Sequence, residues 1–375
     1  MTEIIETDRV EAKRIARLLE TLRSKGVPAY VVTKGSDIKY LTGFTGEYGT
    51  AVLVVSDAGR HLVTDGRFES QAAREVGDVA EVHVYRKWTK GAVSNYFTVA
   101  GDILADLGVA EAGVVAADLS LAAYGDLSEH ARGVRLVQVE DLVAPLRMIK
   151  SGEELDAIRQ ACKISMLSFY ALLDSIRPGV TEREVAAELE HQFHLHGGDG
   201  YCFDTIVASG PQHGACPHST VSDRKLESGD FVTIDFGTYY HGYCSDITRT
   251  LVLGKARDAR LREIWDIVQG AKDAAEAALA PGASLAAVSC AATDYVRARG
   301  YDVPHGIGHG FGLDIHEAPN VSPRSEVVAS PGMVHTIEPG IYVPELGGVR
   351  QEDDYLVTEN GFERLTFITD KLIEL

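Results

Sequence analysis

Apolar positions recur at helical spacing early in the chain, at Ile15, Leu18, Leu19 and Leu22, and the pattern stops at Gly26. A glycine just past the last apolar turn is a helix stop, so a helix is predicted over 10–25. The pattern then changes to short apolar runs bounded by turn residues. Stretches 29–33, 51–56, 61–64, 81–85, 113–117 and 135–139 read as strands, the second and third joined at Asp57-Ala58-Gly59. Helical patterns fall between them at 68–76, 92–107 and 121–132. Strands alternating with helices predict an α/β domain, placed here at residues 1–145. Few titratable groups converge in it. Asp65-Gly66-Arg67 reads as a turn, with ligand contact as the alternative. This part is expected to shape an entrance or an interface and to do no chemistry itself.

A boundary follows at Pro145 and the polar run from Lys150 to Glu154. Ser151 and Glu154 have capping-box spacing and open a long helix. The second domain, residues 150–375, contains a weak duplication. Arg177-Pro-Gly-Val-Thr is matched 103 residues later by Ala280-Pro-Gly-Ala-Ser. Each copy follows a long helix (153–175 and 258–278), continues as another helix to a glycine (Gly197 and Gly300), and leads into strands. Part of that match is ordinary helix punctuation, but the shared order of elements predicts two related halves. They would build one curved, mainly antiparallel sheet with a pseudo-twofold repeat and a site where the halves meet.

Each half carries a strand pair with acidic residues. In the first, Phe231 to Phe236 and Tyr243 to Leu253 read as a hairpin. A turn centred between Tyr240 and His241 would set Asp235 opposite Asp246. The other reading leaves one Asp in the turn and one exposed, since Asp favours turns. In the second half, a turn near Glu345 sets Glu338 opposite Glu352. Opposed side chains lie about 5 Å apart, and carboxylates that close repel unless a cation intervenes. Arg249 and Arg350 are the nearby arginines. Arg350 is expected to point to the face away from the acidic pairs.

The net charge of −19 excludes nucleic acid and anionic membranes as natural partners. No stretch approaches a membrane span, and the charged start does not resemble a secretion signal. Five cysteines without CxxC spacing (Cys162, Cys202, Cys216, Cys244 and Cys290) fit reduced thiols of a cytoplasmic protein.

Three histidines lie in one glycine-rich run, His305, His309 and His316. Glycines flank His309, which lets backbone approach closely. Four carboxylates and one imidazole, without thiolate, suit manganese, cobalt or iron, or zinc in a hydrolytic role. That is more than one ion needs, so two are expected, about 3.5–4 Å apart and sharing a water made acidic enough to attack a carbonyl. His218 and His316 are either solvated loop residues or donors to a substrate carbonyl. His316 would need a bulge near the glycines to reach the site.

Taken in order, PHSTVSDRKLESGDFVTIDFGTYYHGYCSDITRT (217–250), HGIGHGFGLDIHEAP (305–319), GMVHTIEPGIY (332–342) and GGVRQEDDYLVT (347–358) resemble the metallopeptidases of the pita-bread fold, in the X-Pro aminopeptidase and prolidase branch. Residues 42–68 resemble the N-terminal domain that creatinases and prolidases share. The resemblance implies Asp235, Asp246, His309, Glu338 and Glu352 as metal ligands, with Asp246 and Glu352 bridging. It implies His218 and His316 as substrate-contacting catalytic residues, and Glu338 as proton shuttle. It also implies manganese, with cobalt or zinc as alternatives, a homodimer, and cleavage before proline in a peptide substrate. Gln351 and His335 depart from the usual residues but fall on the face away from the metals. Some prolidases place an arginine where this chain has Asn320, with Arg324 four residues on. That substitution tilts the expectation toward an X-Pro aminopeptidase, with an X-Pro dipeptidase as the alternative. A metal-free creatinase-like hydrolase and a non-catalytic binding module are the remaining readings.

Overall fold

The structure, a computed structural model, describes residues 9–86 and 95–375. The chain divides into two compact units, Met1–Arg147 and Met148–Leu375. In the first unit, α1 (Val10–Lys25) ends on left-handed Gly26 as the periodicity predicts. After it come β1 (Ala29–Val32), α2 (Gly35–Thr42), β2 (Ala51–Ser56), β3 (Arg60–Asp65), α3 (Glu69–Glu75) and β4 (Glu81–Tyr85). The unit closes with α4 (Tyr96–Asp106), β5 (Glu111–Val114), α5 (Leu121–His130), β6 (Arg135–Gln138) and α6 (Ala144–Met148). The six strands form one mixed sheet, in the order β4-β3-β2-β1-β5-β6. Val31, Val52, Val54 and Val63 pack with Ala100, Leu104 and Leu127 of α4 and α5. Asn95 caps α4 with a reciprocal box to Thr98; the start of the helix expected over 92–107 lies outside the described residues. Asp65 accepts hydrogen bonds from the Arg67 backbone and guanidinium, so that segment is a turn. The sequence reading missed α2.

The second unit opens with α7 (Gly152–Leu172), capped by the box of Ser151 and Glu154. The first repeat continues through α8 (Glu182–Leu195), β7 (Gly200–Tyr201), β8 (Ile206–Ser209), α9 (Gly210–His213), β9 (Phe231–Phe236), β10 (Thr238–Tyr240), β11 (Tyr243–Cys244) and β12 (Ile247–Val252). The second repeat holds α10 (Ala259–Ala278), α11 (Leu285–Arg297), β13 (Gly308–Gly310), β14 (Glu317–Val321), β15 (Val334–Ile337), β16 (Gly340–Val343), β17 (Gly347–Arg350), β18 (Asp353–Thr358) and β19 (Gly361–Arg364). Every ladder between named strands of this unit is antiparallel.

The duplication is visible in detail. Thr181, the N-cap of α8, bridges Lys225, and Ser284, the N-cap of α11, makes the equivalent bridge to Val328. Each helix pair also covers its own strands. Phe169, Leu189 and Phe193 pack on Val232, Ile234 and Phe236, with the Phe169 and Phe236 rings stacked at 5.3 Å. Ile264, Val268, Val288 and Ala292 pack on Ile337, Val349 and Tyr355. Alternation along a strand sends neighbouring residues to opposite faces. With Val232, Ile234 and Phe236 turned to the helices, Thr233 and Asp235 face the other way. The same logic turns Glu338, Arg350 and Glu352 away from Ile337, Val349 and Asp353.

Candidate metal centre

The first acidic pair sits in a register shifted from the one expected. Asp235 is opposite Thr248, not Asp246. The reason is the turn: His241 and Gly242 both have positive φ, 51° and 80°, and form a two-residue hairpin loop between Tyr240 and Tyr243. The centre therefore lies between His241 and Gly242, one residue beyond the expected position. The consequence is mild, because Asp246 becomes the diagonal neighbour of Asp235 and keeps the same face. In the second half, Gly340 pairs with Arg350 and Ile337 with Asp353. That register leaves Glu338 and Glu352 facing each other across the break between the two ladders.

His309 joins these carboxylates. A Cβ at Gly308 would come within 2.1 Å of the Thr336 carbonyl oxygen, and one at Gly310 within 2.3 Å of that of Ala318. Only glycine lets the backbone flanking His309 come so close to its neighbours. His309 Nδ1 lies 3.1 Å from the Gly310 carbonyl and carries the proton there. The lone pair of Nε2 then faces Asp246 Oδ2 at 3.4 Å and Glu338 Oε1 at 3.5 Å. Donor atoms of Asp246, His309 and Glu352 all lie within 4.8 Å of one another.

The electrostatics are those of crowded, buried acids. Burial pushes Asp246 and Glu352 well above the carboxylate range, and repulsion from the neighbouring carboxylates adds to it. Burial likewise raises Glu338 to about 8, although Arg350 pulls it down. Burial lowers His309 to about 4, with help from nearby His316. Thr248 Oγ1 donates to Glu352 Oε2 at 2.6 Å.

Arg350 does not point away, as had been expected. It lies two residues from Glu352 and so shares its face. Its guanidinium reaches Asp235 Oδ2 at 2.5 Å, Tyr342 Oη at 2.7 Å, the Pro217 carbonyl at 2.9 Å and Thr248 Oγ1 at 3.1 Å. Arg249 is committed elsewhere, to Asp353 at 2.6 Å. One arginine thus offsets one of four carboxylates. Asp235 Oδ1 remains buried without a hydrogen-bond partner. An orphaned carboxylate oxygen, the buried acids Asp246 and Glu352, the half-buried Glu338 and an imidazole lone pair aimed among them fit oxygen-preferring divalent ions.

The sequence pattern of metallopeptidase family M24 matches residues 156–359. The chain belongs to metallopeptidase family M24. The creatinase/prolidase N-terminal domain pattern matches residues 14–149. A Xaa-Pro dipeptidase of Pyrococcus horikoshii is 33% identical, over 96% of this chain and 99% of that protein. Among solved structures, the Xaa-Pro dipeptidase from Bacillus anthracis superposes with a TM-score of 0.90 at 35% identity, covering 97% of this chain and 100% of the other. An X-Pro aminopeptidase from Thermotoga maritima gives 0.85 at 32% identity, covering 96% and 99%. M24 membership makes the chain a hydrolase, places its second unit in the pita-bread fold, and implies divalent metal ions.

Around this M24 centre the two further histidines differ in placement. A bulge between His309 and Gly310 shifts the β13–β14 register, and the His316 ring packs edge-on to His309 at 4.3 Å. Glu317, next in sequence, is held by a buried ion pair to Lys150 at 2.5 Å, which fixes that corner. His218 is exposed, on a loop tied to the centre through the Pro217 carbonyl and Arg350. Sequence reasoning missed Tyr342 and the role of His305, whose Nε2 accepts from Tyr342 Oη at 3.0 Å. Two-residue spacing from Glu352 was the available signal for Arg350; Tyr342 and His305 had none.

Proposed function

We propose that this M24 hydrolase cleaves the bond before proline at the N-terminus of short peptides, using two divalent ions. Asp235, Asp246, His309, Glu338 and Glu352 would hold them, Asp246 and Glu352 shared between both, and manganese is the ion proposed, ahead of cobalt and zinc. Bound there, such ions supply a water of lowered pKa and polarise the scissile carbonyl. The observation that carries the reading is the convergence of Asp246, Glu338 and Glu352 on the neutral imidazole of His309, with Asp235 close enough to act on Asp246 and a single arginine to offset the four.

The chain's own residues supply the rest. An X-Pro bond is a tertiary amide, so its nitrogen leaves only when protonated. Glu338, set beside Asp246 and His309, accepts the proton of the attacking water and delivers it to that nitrogen. His316 and His218 donate to the substrate carbonyl as negative charge develops. Arg350 holds Asp235 in place and, through Pro217, the loop of His218.

Dipeptides are the proposed substrates, since two of the three relatives named above are Xaa-Pro dipeptidases. Longer X-Pro peptides are the second reading, favoured by exposed Asn320 where an arginine would bind a dipeptide's carboxylate. Assays of an X-Pro dipeptide and an X-Pro-Y tripeptide with Mn, Co and Zn test both; turnover of the tripeptide alone overturns the dipeptide reading, and turnover of neither overturns both. Five unpaired cysteines fit a reducing, cytoplasmic setting. A homodimer is proposed with it, to be checked by light scattering.

A further inference from the structure

The N-terminal unit carries a second convergence of metal-ligating side chains, on the edge of its sheet. Strands β3 and β4 run parallel, with His61 paired to Glu81 and Val63 to His83. Residues two apart on a strand share a face, so His61, Glu81 and His83 project together. His61 Nδ1 lies 3.1 Å from His83 Nε2 and 3.4 Å from Glu81 Oε2, and His83 Nε2 lies 3.7 Å from Glu81 Oε1. The imidazole centroids are 5.2 Å apart.

Hydrogen bonding alone serves this arrangement poorly. A single ring nitrogen, His61 Nδ1, faces two partners but has either one proton or one lone pair to offer. Three donor atoms about a tetrahedral ion, with ligand distances of about 2.0–2.1 Å, stand roughly 3.3–3.4 Å from one another. The observed separations of 3.1, 3.4 and 3.7 Å lie near that value, the two from Glu81 running to different oxygens of its carboxylate, so a rotation of that exposed side chain would turn one oxygen toward both nitrogens. We propose that His61, Glu81 and His83 form a third metal site, separate from the catalytic centre, for an ion of the zinc class. Two imidazoles and one carboxylate suit zinc, or nickel and copper, better than manganese or magnesium, whereas the catalytic cluster is richer in oxygen.

The surroundings set its character. β4 is the outer strand of the sheet, and the Glu81 side chain is 67% exposed, so an ion can enter from solvent and keep water at its fourth position. His61 Nε2 is buried without a hydrogen-bond partner, against Gly59, where an added Cβ would come within 2.4 Å of it. A ligating histidine ordinarily donates its other N–H, and loss of such support weakens metal affinity about 10–100-fold. The site is therefore exchangeable, not a structural clamp. The sequence reading expected no chemistry in this unit, because His61 and His83 lie on separate strands and meet only once the strands pair in parallel.

The test is zinc binding to the full-length chain by equilibrium dialysis, comparing wild type with His83→Ala, His61→Ala and Glu81→Ala. Each variant should bind one zinc ion fewer, or bind that ion at least tenfold more weakly. Copper binding followed by electron paramagnetic resonance should lose its two-nitrogen hyperfine pattern in His83→Ala. Peptidase activity with manganese should be unchanged in Glu81→Ala, whose side chain is exposed and carries little of the fold. Equal zinc stoichiometry and affinity in wild type and Glu81→Ala, with an unaltered copper spectrum in His83→Ala, would overturn the proposal. The catalytic reading would stand in either case.

Discussion

Arg350 is the residue on which the chemistry of the centre turns. It is buried, donates to four acceptors and supplies the positive charge beside Asp235. Arg350→Ala leaves Asp235 and Tyr342 without that partner, and breaking a buried ion pair costs about 3–5 kcal/mol. Urea unfolding of the metal-stripped protein should show a loss of that size. Arg350→Lys should not restore full stability, because an ammonium cannot span four acceptors in a fork geometry. Equal stability of wild type and Arg350→Ala would contradict the role given to it.

At the scale of elements, α8 carries a carboxylate that shapes the loop ahead of β9. Glu182, fully buried at the start of α8, accepts from the backbone and hydroxyl of Ser209 (2.9 and 2.6 Å), from His213 (2.9 Å) and from the backbone and hydroxyl of Ser222 (3.2 and 2.6 Å). His213 and Ser222 bracket the loop that carries His218. Glu182→Ala strands several buried donors, each costing about 1–3 kcal/mol. It should therefore lower both stability and kcat/KM while leaving metal content unchanged. Loss of metal together with activity would show that Glu182 supports the centre itself and not the loop.

Elements also show what was legible in the chain. The periodicity of α1, the capping box that opens α7 and the Pro-Gly-Thr/Ser punctuation of the repeats were visible, because each depends on local chemistry. The acidic residues of the centre were picked out by their expected opposition across two hairpins, which the register keeps for Glu338 and Glu352 and turns into a diagonal for Asp235 and Asp246. The register of the first hairpin was misread because it hangs on which residues take positive φ, and His241 does so beside Gly242. The face of Arg350 was legible from its two-residue spacing to Glu352 and was misassigned, whereas its partners and the Glu182 anchor were invisible, since they lie far away in sequence and meet only through packing.

For the whole molecule, among the described residues no helix is long and apolar enough to cross a membrane. Two carboxylates of its metal centre, Asp246 and Glu352, are buried inside the second unit, where charge is hardest to tolerate. In the metal-stripped protein, Glu338 titrates at about 8, against about 4.3 in an unfolded chain. Between those values the folded state binds more protons than the unfolded one, so stability falls as pH rises through that window. Asp246 and Glu352, raised for the same reason, act in the same direction. Added divalent ions replace those protons. The gain in Tm on adding manganese to stripped protein should therefore be larger at pH 8.5 than at pH 6, and a gain independent of pH would contradict the electrostatic account.

The most direct measurement is a calorimetric titration of metal-stripped protein with manganese, in wild type and in Asp246→Ala. Two manganese ions per chain are predicted for the wild type, with both sites lost or greatly weakened in the variant, because Asp246 is assigned to the two ions together. Undiminished binding of two ions by Asp246→Ala, or no binding by the wild type, would contradict the assignment of this cluster as the catalytic metal centre.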